Sequence, residues 1–133
     1  MPYTLIDHTA DMGVKISSPT IEMLFKEAAH ALADILGATC ARGTEEMRVQ
    51  ARGIDREDLL VRWLQEILYL MEVRGWRLRD AHIEERGETE VKGVLQGACV
   101  QEPLAAEIKA VTYHNLEIVH TGDVFEVTII LDM

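Results

Sequence analysis

Two stretches of the chain repeat their apolar positions at three- and four-residue intervals, and most of the remainder alternates. Ile21, Leu24, Phe25, Ala28, Ala29, Leu32, Ile35 and Leu36 make one broad apolar stripe, the period of a helix with a buried face. Thr20, directly after Pro19, predicts its N-cap. Glu22 suits the positive end of the helix dipole, and Gly37 predicts a left-handed stop. In the second stretch Leu59, Leu60, Trp63, Leu64, Ile67, Leu68 and Met71 form the stripe. Asp55 predicts its cap, Glu57 and Asp58 fill the first turn, and Gly75 ends it. Its outer face carries Arg56, Arg62, Gln65 and Glu72, whereas Glu66 lies among apolar neighbours and is expected to be partly buried and paired.

Alternation predicts strands over 4–7 and 12–17 around a turn at Ala10–Gly13, and a short strand over 46–51. A hairpin is expected from 76–85 and 89–99 across Arg86–Gly87, with Gly93 and Gly97 marking a bulge or close packing inside its second strand. Strands over 106–113, 115–120 and 124–131 complete the set, with a turn at Thr121–Gly122–Asp123. Along the last of these, Phe125, Val127, Ile129 and Leu131 share one face and Glu126, Thr128, Ile130 and Asp132 the other. The expectation is an α+β layered domain, two helices packed on one face of a mostly antiparallel sheet of six to eight strands.

Length and composition narrow this without changing it. At 133 residues the chain fits one domain spanning 1–133, large enough to fold without a disulfide or a structural metal. No apolar run approaches the ~20 residues that span a bilayer, and MPYTLIDHTAD has neither the basic nor the apolar region of a secretory signal. Cys40 and Cys99 form no CxxC or other ligand spacing, so a reducing, cytoplasmic setting is expected. The net charge of −10 argues against independent binding to a phosphate backbone. That charge is uneven: 1–40 holds five acids and two bases, 41–89 eleven and nine, 90–133 seven and two. If the two acidic ends meet, they make a pole suited to a cation or a basic partner.

Three segments carry candidate chemistry. Asp7-His8-Thr9-Ala10-Asp11-Met12-Gly13 offers hard oxygen ligands and an imidazole in a turn, or an Asx-type turn with a hydrogen-bonded histidine. At the other end an apolar strand runs into Asp132 and Met133, either as exposed charges or, if the strand docks, as two anionic groups that a divalent cation would relieve. Along 107–115, alternation puts Lys109, Val111, Tyr113 and Asn115 on one face and Ile108, Ala110, Thr112 and His114 on the other, a phosphate-binding face or a solvated edge. No Gly-rich phosphate loop, nucleophile elbow or catalytic triad can be assembled.

Taken in order, His8-Thr9-Ala10-Asp11 with Gly13, Thr20 opening a helix with Leu24-Phe25, Asp58-Leu59-Leu60 leading to Leu64-Gln65-Glu66-Ile67-Leu68-Tyr69, Glu107-Ile108-Lys109-Ala110-Val111-Thr112-Tyr113-His114 and a final Asp132 resemble the archease family over essentially the whole chain. The departure is Met133, where relatives end in Ile, Leu or Thr. The resemblance implies a small acidic protein cofactor of the GTP-dependent tRNA-splicing RNA ligase, which joins 2′,3′-cyclic phosphate or 3′-phosphate ends to 5′-hydroxyl ends. Such a cofactor promotes guanylylation and multiple turnover of the ligase and is not itself an enzyme. It also implies a divalent-metal site (Ca, Mg or Mn) at Asp11, Asp132 and the backbone carbonyl of Met133. His8, Glu66, Lys109 and His114 are the accessory or partner-facing positions, and the ligase presents a basic active-site cleft. The alternatives are a metal-dependent phosphoester hydrolase built on Asp11, Asp132 and a bound water, and a chaperone or adaptor of a tRNA-modifying methyltransferase.

Overall fold

The computed structural model describes residues 3–7 and 11–133. Among them the elements run β1 (Tyr3–Asp7), β2 (Asp11–Ser18), α1 (Ile21–Leu36), β3 (Glu45–Arg52), α2 (Arg56–Val73), β4 (Trp76–Arg86), β5 (Glu90–Cys99), β6 (Ala110–Val111), β7 (Val119–Thr121) and β8 (Val124–Asp132). The helices begin and end where their caps require. The Thr20 side chain accepts the Met23 N–H at 3.1 Å, and Asp55 accepts that of Asp58 at 2.8 Å, each satisfying an orphan donor of the first turn. At the end of α1, Gly37 adopts φ 68°. Its N–H donates to Asp34 O, and that of Ala38 to Ala33 O, the paired contacts of a Schellman stop. Gly75, at φ 71°, stands just beyond Arg74 at the end of α2.

The strands divide into two antiparallel sheets. One has the order β1-β2-β8-β6, with β7 pairing the other half of β8; the second has the order β3-β5-β4. Each turns one face to the helices. α1 packs on β2 and β8 of the first sheet and on β4 of the second, while α2 packs on β3, β4 and β5 and reaches β6. A helix held between two sheets must be apolar over more than a narrow stripe, and both are. Ala31 and Ala33 are buried beside the expected face of α1, and Val61 beside that of α2.

The core centres on Phe25, Trp63 and Trp76, all essentially inaccessible. The Phe25 and Trp63 rings lie 6.3 Å apart, and the Trp63 Nε1–H donates to Phe25 O at 3.1 Å. Gly93 and Gly97 are sites of close approach. A Cβ on Gly93 would fall 2.6 Å from the Trp63 ring, and one on Gly97 would fall 1.8 Å from Arg77 O, next to a bulge at Leu78/Asp80.

Two elements differ from the alternating pattern. Of 106–113 only Ala110–Val111 is strand, and of 115–120 only Val119 and His120 lie in β7. Ile108 and Val111 are both buried, a spacing that a regular pleat cannot supply, so the chain enters and leaves the sheet quickly. Beyond it the Leu116 N–H closes a turn onto Tyr113 O, with Asn115 at φ 51°. Asparagine tolerates that left-handed conformation. Lys109, Tyr113 and Asn115 therefore do not share a face with Val111.

Candidate functional site

β2 and β8 bring together two carboxylates that are far apart in the sequence. Their register pairs Val14 with Ile129 and Ile16 with Val127, placing these four buried side chains on the helix-facing side. Carried to the end of the strands, the same register makes Asp11 and Asp132 direct partners. Both stand on the opposite face, with Lys15 and Thr128. Side chains opposed in this way have Cβ atoms about 4.5–5.5 Å apart, and like charges there repel. Each is only partly buried, and among the described residues neither forms an ion pair. Asp132 is also fixed from its other side. Ala110 of β6 pairs with it, the Lys109 N–H donates to Asp132 O at 2.7 Å, and Thr112 gives both its N–H and its hydroxyl to Ile130 O at 3.0 Å. Met133 packs its side chain against the core. This end of the sheet is a firm seat for two anionic groups, and its donors are the hard oxygens that suit a divalent cation.

The sequence profile of the Archease protein family matches residues 3–133. The chain belongs to the archease family. It is 36% identical over 125 residues to the archease of Methanopyrus kandleri, with 89% of each chain covered. The fold is similar to a solution structure of a Methanobacterium thermoautotrophicum protein, with a TM-score of 0.81 at 28% identity over 99% of each chain. It is similar as well to the crystal structure of an archease from Thermotoga maritima, described as a possible chaperone. There the TM-score is 0.71 at 29% identity, covering 96% of this chain and 94% of that one.

The remaining expected positions of this archease-family chain are spread out. His8 lies outside the described residues. Glu66 is exposed on α2, not partly buried and paired, because the buried arc of the helix runs through Leu60, Leu64, Ile67 and Leu68 and leaves Glu66 on the solvent side with Gln65 and Tyr69. Lys109 is exposed at the sheet edge, one residue from the partner of Asp132. His114 is exposed in the turn, its N–H on Thr112 Oγ1 at 3.3 Å and its ring against the Asn115 amide.

One cluster escaped the sequence reading. Asp58 is 8% exposed, and its carboxylate accepts the Tyr113 hydroxyl at 2.7 Å, the Ile54 N–H at 2.9 Å and Arg62 Nε at 3.0 Å. The Tyr113 hydroxyl first, then the Ile54 N–H, and the Arg62 guanidinium hold the Asp58 carboxyl below its ordinary value against the opposing effect of burial. In return Asp58 pushes the Tyr113 hydroxyl up. The i, i+4 spacing of Asp58 and Arg62 was legible as a helix pair. Nothing local pointed to Tyr113, which reaches Asp58 only through the packing of 107–113 beside α2.

Among the described residues no group of three or more His, Cys, Asp or Glu side chains converges on one point, and no helix is long and apolar enough to cross a membrane.

Proposed function

We propose that this archease-family chain is a non-catalytic activator of a GTP-dependent tRNA-splicing RNA ligase, acting through a divalent cation held by Asp11, Asp132 and the backbone carbonyl of Met133. The observation that supports the reading is the cross-strand pairing of Asp11 with Asp132. Two like charges are set opposite each other with no cationic side chain between them among the described residues, an arrangement that costs free energy unless a cation joins them. The donor set fits. Carboxylate and carbonyl oxygens are ligands for Ca, Mg or Mn, and nothing in it asks for a softer metal.

When bound, the ion neutralises charge on phosphate oxygens, as metals do in phosphoryl-transfer sites generally. The chain's own contribution is positional. β8 lies between β2 and β6, so Asp132 is held from both sides, and Lys109 stands at the rim of the same corner. A net charge of −10 draws the chain toward the basic, RNA-binding cleft of such a ligase and speeds the encounter. That kind of contact suits a cytoplasmic protein that engages its partner transiently.

A multiple-turnover ligation assay with purified ligase tests this. Asp11→Ala and Asp132→Ala are each expected to lower stimulation by at least about tenfold, the scale on which metal sites respond to lost ligands and supports. Thermal stability should be unchanged or slightly raised, since each variant removes half of a repelling pair. Full stimulation by both variants would overturn the reading. Turnover of a simple phosphoester by the chain alone would replace it with the hydrolase reading.

A further inference from the structure

The C-terminal end of α2 carries apolar surface that the core does not use. Val73 is 61% exposed and Tyr69, one turn earlier, 50%. Residues at i and i+4 share one face of a helix, so the two form a continuous step on the solvent side. Val73 leads into an open groove of about 570 Å³ between the end of α2 and the segment 100–107, where Pro103 and Leu104 extend the apolar lining.

The groove walls are acidic. Glu72 and Glu107 both line it, and burial and then the Glu107 charge raise the Glu72 carboxyl above its ordinary value, so the two feel each other across the opening. The last turn of α2 has no basic residue, and its end is met instead by Arg74 at the C-cap and by the buried Arg77 guanidinium on the Met71 carbonyl. Glu102 adds a third acid to the lining. Of the two arginines nearby, Arg77 is buried behind the groove with its guanidinium on the carbonyls of Met71, Trp76 and Glu102. Arg74 is the one basic side chain that lines the groove among the described residues.

An apolar step beside an acidic trough fits neither a nucleic acid nor an acidic protein, since phosphates and carboxylates would meet Glu72 and Glu107. We propose that this face docks a basic segment of a partner protein, an apolar side chain resting on Tyr69 and Val73 while a lysine or arginine enters the groove between Glu72 and Glu107. Tyrosine supplies large contact area at low entropic cost. A cation in the trough offsets the Glu72–Glu107 repulsion. The groove shares no lining residue with the Asp11–Asp132 pair, and the proposal does not depend on a cation there.

The test is an amide-resolved NMR titration of the full chain with a short synthetic peptide of leucines and arginines, beside its counterpart with glutamate at every arginine. Shifts are expected to cluster at 69–75 and 100–107 with the basic peptide only. The double variant Glu72→Gln/Glu107→Gln should weaken binding at least about tenfold, and Val73→Ser several-fold. Asp11→Asn/Asp132→Asn should leave binding unchanged, which keeps this result independent of the cation reading. The isosteric glutamines preserve the fold, as their spectral dispersion will report. Several results would overturn the proposal: no binding of the basic peptide, equal binding by the glutamate peptide, equal binding by the glutamine variant, or shifts centred on Asp11 and Asp132. Concentration-dependent shifts at 69–75 without peptide would replace the basic partner with a second copy of the chain.

Discussion

Asp58 gathers three donors on one buried carboxylate, and its charge is part of the fold's stability rather than a surface ornament. Removing one partner of such a network leaves buried polar groups unsatisfied. Asp58→Asn is therefore expected to cost about 1–3 kcal/mol, and Tyr113→Phe about 1 kcal/mol, in urea unfolding at neutral pH. The pH dependence follows from the direction of the shift. The folded-state carboxyl titrates below its ordinary value, so the stabilisation is complete above about pH 5 and is lost as the pH falls through the folded-state value. The gap between the native chain and Asp58→Asn should accordingly narrow in acid. Glu72 has the opposite sign. Its carboxyl is raised, so ionisation at neutral pH destabilises the fold, and Glu72→Gln should be slightly more stable there. The Asp58–Arg62 half of the network could be seen in the sequence, because four residues on a helix are neighbours. The Tyr113 half spans 55 positions and exists only because tertiary packing lays 107–113 beside α2.

At the scale of elements, the helices were the most legible part. Their stripes, caps and stops act within a turn or two, and the observed ends at Thr20, Gly37, Asp55 and Gly75 follow from those local contacts. The hairpin of β4 and β5 and the turn before β8 were equally local. β6 was not. Its length is set by β8 and by the need to bury both Ile108 and Val111, a demand of the neighbours that breaks the pleat the sequence pattern suggests. The wide burial of both helices was likewise hidden, because a stripe alone cannot tell one covering sheet from two. Gly93 connects sequence to packing most sharply, since its missing side chain is the space the Trp63 ring uses. Gly93→Ala is expected to destabilise by about 1–3 kcal/mol in a urea or thermal melt, the cost of forcing extra volume into a filled core. An unchanged midpoint would mean that both the ring and the His82 carbonyl, 2.9 Å from the added Cβ, can move aside.

For the whole molecule, the unequal charge of the two sequence ends acquires a spatial meaning once β2 and β8 pair. The sequence offered Asp11 and Asp132 as separate candidates, each for its oxygen donors, and only the resemblance to a family joined them in one site. Their spacing along the chain said nothing about proximity. The strand register brings them side by side, and membership of the archease family is established independently of that geometry. Lys109 and His114 sit within a few residues of the same corner, whereas Glu66 faces solvent on α2, so the expected accessory positions do not form a single cluster. If the paired carboxylates hold a divalent cation, as proposed, paramagnetic broadening by Mn²⁺ will report it at their own amides. Substoichiometric Mn²⁺ should erase the amide signals of Asp11, Ala110 and Asp132 first, and Asp11→Asn/Asp132→Asn should restore them. Broadening that begins instead around Glu72 and Glu107, or that survives the double substitution, would contradict the account.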